Sequence, residues 1–139
     1  MLFRSQCAIA LANIEIMRRE GIVDHVREHE HDFRAGLEQL LDLDIVGDLR
    51  GTGFFYALEL VSDKETRAGF THEECETLLR GFLSPRLYER GLICRADDRG
   101  DPVVQISPPL IAGQKEIDEI TGILGDVLVE AQDRMRVAA

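Results

Sequence analysis

A chain of 139 residues with 45% hydrophobic content is long enough for one packed core and apolar enough to form it. The net charge of −10 argues against nucleic acid, whose binding needs a basic face, and no 18 consecutive apolar residues are present to form a membrane span. Neither a nucleic acid nor a membrane is therefore expected as a partner, and the bland meaning of the charge is solubility.

Gln6 to Arg19 carries Ile9, Ala12 and Ile16 at helical spacing, and no small-residue cleavage pattern that would mark a signal peptide. Gly21 interrupts. A second helix is predicted with Ile22, Val23, Val26, Phe33, Leu37, Leu40 and Leu41 on one side and acids and arginines on the other. Burying such a stripe contributes roughly 1.5–3 kcal/mol per large side chain, so this helix is expected to be an anchor. Ile45 to Gly53 reads as a short strand running into a glycine turn. Phe54 to Val61 (FFYALELV) is so continuously apolar that a central strand, covered on both faces, is expected.

After a polar connection from Ser62 to Phe70, Thr71-His72-Glu73-Glu74 forms a capping box. It opens a helix with Cys75, Leu78, Leu79 and Phe82 on one face. Pro85 must kink or restart that helix, and Gly91 ends it. Gly91 to Leu110 then has the pattern of a long-tipped β-hairpin. A first strand Leu92 to Arg95, with the arginine towards the tip, meets a loop at Ala96 to Pro102. A second strand Val103 to Ile106 is cut off by Pro108 and Pro109. Ile117, Ile120, Leu124, Val127, Leu128 and Ala131 make a last amphipathic helix, whose tail from Arg134 to Ala139 is expected to fray. This order of elements predicts an α+β fold, a small mostly antiparallel sheet covered by helices on one face.

Several motifs carry competing readings. The turn Arg50–Gly53 looks like half of a phosphate loop, but it precedes a strand rather than a helix, so a tight turn is the better reading. His25 and His29, at i, i+4, could seat a metal, but no third ligand has the right spacing, and no metal site is expected. The three cysteines, Cys7, Cys75 and Cys94, form no C-x-x-C pair and point to a reducing cytoplasm without disulfides or zinc. Cys94 beside Arg95 could have a lowered thiol pKa, yet its apolar strand favours an inert thiol. Arg95 is either a surface arginine paired with Asp97, Asp98 or Asp101, or a carboxylate holder. A guanidinium suits bidentate carboxylate binding, and from residue chemistry alone the two readings stand equal.

The segments GDLRGTGFFYALELVSDKETR, GLICRADDRGDPVVQISPPL and KEIDEITGIL resemble the C-terminal part of class III aminotransferases, pyridoxal-phosphate enzymes of fold type I. CAIALANIEIMRREGIVDH resembles the helix that follows the large domain in that family, and the likeness runs from Cys7 to Val129. In the branch acting on acetylornithine, ornithine and 4-aminobutyrate, a carboxylate-binding arginine lies on the second hairpin strand, where this chain has Gln105. In the ω-transaminase branch it follows the first strand, where this chain has Arg95. The resemblance therefore implies an ω-transaminase, with Arg95 as a mobile carboxylate clamp that swings aside for an uncharged amine. Leu2 to Gln6 stand where the family has a Gly-His-Pro-like run.

The resemblance further implies a parent protein that moves an amino group from an amine or amino acid to a keto acid such as pyruvate, as a cytoplasmic homodimer. Residues 1–139 would be its C-terminal small domain, with 1–41 a helical lead-in and 45–133 an α/β sandwich. The large cofactor-binding domain would lie outside this chain. Neither Lys64 nor Lys115 matches the Schiff-base lysine, so the chain alone is expected to bind no pyridoxal phosphate and to have no catalytic residue. A stand-alone α+β binding or dimerisation module, or an aminomutase of the same fold and cofactor, are the alternatives.

Overall fold

The computed structural model describes residues 2–97 and 102–138. Helices α1 (Leu2–Arg19) and α2 (Ile22–Glu38) are broken at Gly21, whose φ of 63° lies in the left-handed region that glycine adopts without steric cost. A 3-10 turn (Gln39–Asp42) leads into strands β1 (Val46–Thr52) and β2 (Phe55–Leu60). Helix α3 (His72–Cys75) continues through a π-helical stretch (Glu76–Leu83) into α4 (Ser84–Glu89). Strands β3 (Arg95–Asp97) and β4 (Val103–Ile106) and the long helix α5 (Gln114–Ala138) complete the order.

The four strands form one antiparallel sheet in the order β1-β2-β4-β3, so the expected α+β class and central β2 are found. Leu49, Leu58, Val104 and Ala96 are successive register partners and make one row on the inner face. That face packs on Phe33 and Leu37 of α2, Leu78, Leu79 and Leu83 of the π-helical stretch, and Leu124 and Leu128 of α5, all buried. Phe33 sits edge-on to Phe54 and Tyr56, with ring centroids 5.7 and 5.4 Å away, which locks α2 to the β1–β2 hairpin.

Three expectations are corrected. β2 is covered on one face only: Tyr56, Leu58 and Leu60 are buried, whereas Phe55 is 61% exposed and Ala57 and Glu59 are half-buried. Its apolar run is therefore wider than the helix layer that covers it. The first hairpin strand is Arg95–Asp97 rather than Leu92–Arg95, because the Leu92 amide donates to Leu87 O and ties that segment to α4. Finally, the tail expected to fray is helical from Arg134 to Ala138. Helix α5 runs to Ala138, with the Arg134 guanidinium 5.2 Å from the Phe82 ring centre and Arg136 ion-paired to Asp44.

The expected break at Pro85 takes a specific form. Before it the helix widens to i, i+5 bonding, and the Ser84 amide reaches Leu79 O. Pro85 then falls in the first turn of α4, at the join with that wider stretch, and has no N–H to give to the preceding turn. The capping box forms as read: Thr71 Oγ1 accepts from the Glu74 amide at 3.3 Å, and the Thr71 amide donates to Glu74 Oε2 at 2.8 Å.

Candidate functional site

On the outer face of the sheet the register partners Arg50, Ala57, Gln105 and Arg95 form a second row, from β1 across to the edge strand β3. No helix covers it among the described residues. The two ends of the row differ in their surroundings on the face. Arg50 is ion-paired with Glu59 and with Asp48 Oδ2, the latter at 3.2 Å. Arg95 is exposed, and its neighbour across the strand is the neutral amide of Gln105. Asp98 and Asp101, partners in the salt-bridge reading of Arg95, lie outside the described residues, as does the side chain of Asp97.

Arg95 and Gln105 line an open cleft of about 640 Å³ at the end of the sheet. Its walls are Leu92, Ile93, Cys94, Ala96 and Ile106 with Pro108, Pro109 and Ile120, and Ser84 and Ser107 add two hydroxyls. An apolar cleft with one guanidinium and a few hydrogen-bonding groups suits a small carboxylate with a short uncharged body. Arg95 is the first residue of β3, so it lies at the open end of the hairpin and not towards its tip. Sequence reasoning singles out Arg95 and Gln105. It misses Ser84, Ser107 and Ile120, although each serine stands directly before a proline.

Cys94 is half-buried, and burial pushes its thiol up to about 11. Burial is the cause of that shift, and the adjacent guanidinium does not reverse it. The inert reading of Cys94 stands.

The other motifs resolve into structural roles. The expected turn at Arg50–Gly53 is corrected: Arg50, Gly51 and Thr52 are paired in β1, and the turn is Gly53-Phe54, where Gly53 has φ 57° and its amide donates to Glu30 Oε2 at 3.1 Å. A carboxylate already holds the donor that a phosphate would need. His25 Nε2 donates to Ala112 O and His29 Nδ1 to His25 O, both at 2.9 Å, and the two rings lie 4.3 Å apart. The described residues contain no group of three side chains placed to hold a metal. Lys64 donates to the carbonyls of Leu41 and Leu43, below the 3-10 turn, and Lys115 is exposed in the first turn of α5. Neither lysine lines the cleft. The described residues thus offer no lysine and no phosphate cradle that fit pyridoxal phosphate.

The comparisons with known proteins agree with the fold. Residues 4–128 match the aminotransferase class-III family. A probable aminotransferase of Mycobacterium tuberculosis is 54% identical over 123 residues, which is 88% of this chain and 26% of that protein. The putrescine–pyruvate aminotransferase of Pseudomonas aeruginosa is 39% identical over 114 residues, 81% of this chain and 24% of that protein. Among solved structures, an omega-aminotransferase from Paracoccus denitrificans superposes with a TM-score of 0.78 at 32% identity, covering 92% of this chain and 27% of that one. The PMP-bound aminotransferase of Vibrio fluvialis gives 0.80 at 30% identity, covering 90% and 26%. The chain spans about a quarter of the length of the curated relatives it matches. With a family match over nearly its whole length and the same sheet and helices as those structures, this chain belongs to the class-III aminotransferases.

Proposed function

We propose that this chain is the C-terminal small domain of a pyridoxal-phosphate-dependent transaminase of the ω-transaminase branch, and that Arg95 holds the carboxylate of its keto-acid substrate. The observation that carries the reading is the placement of Arg95 on the helix-free sheet face, beside Gln105 and at the mouth of an apolar cleft. The second arginine of that row, Arg50, is held by two carboxylates and does not line the cleft. The names of the relatives support the same branch, since one acts between putrescine and pyruvate and a superposable structure is an omega-aminotransferase.

In such an enzyme the cofactor supplies the electron sink, and residues outside this chain would bind it. This chain's contribution is positional. The exposed Arg95 can form two parallel N–H···O bonds to a carboxylate, while Ile93, Pro108 and Ile120 exclude water from the short apolar body. An amine without a carboxylate does not engage this guanidinium. The substrates in this reading are an amine or amino-acid donor and a keto acid such as pyruvate, in a cytoplasmic homodimer.

The test is made in a holoenzyme that carries this segment. Arg95→Ala should raise KM for pyruvate by about ten- to a hundred-fold, as expected for losing a charge-assisted pair. KM for a carboxylate-free amine such as 1-phenylethylamine should change by less than about three-fold. Equal losses on both substrates would show that Arg95 is structural.

A further inference from the structure

Gln105 is the polar side chain that stands opposite Arg95 across the strand pair. It is half-buried, it lines the same cleft, and its amide makes no hydrogen bond of its own among the described residues. Directly opposed side chains on one face of an antiparallel pair have Cβ atoms about 4.5–5.5 Å apart, within reach of a glutamine and an arginine. An amide also has the two capacities this place requires. Its oxygen accepts from a guanidinium N–H, and its NH₂ donates to a carboxylate oxygen held by that guanidinium.

Resting on the carboxylate-holding role of Arg95, we propose that Gln105 is the positioning residue of the cleft. With a carboxylate bound, it docks the Arg95 guanidinium over the cleft and donates the third hydrogen bond to that carboxylate. The neutral amide matters for its charge as well as its reach. An acid at this position would pair with Arg95 directly, as Glu59 and Asp48 pair with Arg50 in the same row. An apolar residue would offer the guanidinium no acceptor from β4.

The test uses the full 139-residue chain labelled with ¹⁵N at arginine and pyruvate as the probe, with pyruvamide as its uncharged counterpart. The Arg95 Nε–H resonance, assigned by its loss in Arg95→Ala, should shift saturably with pyruvate and not with pyruvamide. Gln105→Leu, of similar size and without polar atoms, should weaken pyruvate about three- to ten-fold and reduce the shift of that resonance at saturation. Gln105→Glu should weaken it further, and its backbone spectrum provides a second folded variant if the leucine variant misfolds. Pyruvate affinity within two-fold of the starting chain in both variants overturns the role of Gln105 while leaving that of Arg95 intact. A starting chain that responds no differently from Arg95→Ala overturns both, so the two failures are distinguishable.

Discussion

Arg95 is set apart by its place in the sheet rather than by its own chemistry. Every arginine in the chain carries the same fork of donors, and Arg34, Arg50, Arg86 and Arg90 stand away from the cleft. At the β3 edge the residue directly across is the neutral Gln105, and both side chains line the cleft. Cys94, one residue before Arg95, illustrates a reactive group silenced by burial. With its thiol pushed up to about 11, Cys94 should alkylate with iodoacetamide at pH 8 about a hundred-fold more slowly than an ordinary exposed thiol. Mass mapping of labelled peptides over time checks this, and labelling of Cys94 as fast as a model peptide thiol would sink it. The same shift links stability to pH. Because the folded state favours the neutral thiol, its contribution is intact below the ordinary thiol value of 9.0. It is lost as pH rises from there towards 11.

At the scale of elements, the β1–β2 hairpin depends on two glycines, for different reasons. Gly53 supplies the positive φ of the turn. Gly51 has φ 148°, and a Cβ there would lie 2.2 Å from the Phe55 carbonyl oxygen, a backbone atom that cannot rotate away. Gly51→Ala should therefore cost about 2–3 kcal/mol, read as a lower urea midpoint at unchanged slope. The hairpin also carries the aromatic contact that seats α2. Phe33 is fully buried against Phe54 and Tyr56, so Phe33→Ala should cost about 3–5 kcal/mol in the same measurement. A loss below about 1 kcal/mol would mean that α2 is held mainly elsewhere. Helix α4 is fastened in another way, with the Arg86 guanidinium bridging both oxygens of Glu130 on α5 at 2.7 and 3.1 Å. That pair lies 44 positions apart in sequence, and no local pattern announces it.

Across the whole molecule the apolar surface is unevenly used. The inner sheet face and the helical elements after α1 share one core, while α1 keeps Ile9 at 70% and Leu11 at 67% exposure. The chain spans about a quarter of its relatives, and the cleft has an arginine but no lysine or phosphate cradle. The chain by itself should therefore give no saturable pyridoxal-phosphate absorbance band that borohydride fixes to protein. A fixed band at one molar equivalent would show that Lys64 or Lys115 takes a role that its position does not suggest.

The sequence by itself determined the order and type of the elements, the capping box, the break at Pro85 and the family. These depend on residues within a few positions of one another, where periodicity and turn chemistry act directly. It also brought Arg95 and Gln105 to attention, but it could not say that they are neighbours. Which strands pair, and in what register, is decided by burying Leu49, Leu58 and Val104 together under α2 and α5, across more than 50 positions of chain. That packing left one face of β2 without a helix over it, held α5 helical to Ala138, and put Arg95 at the open end of the hairpin rather than towards its tip. The placement of one guanidinium beside one amide on an uncovered face is a consequence of long-range packing, and only the tertiary structure contains it.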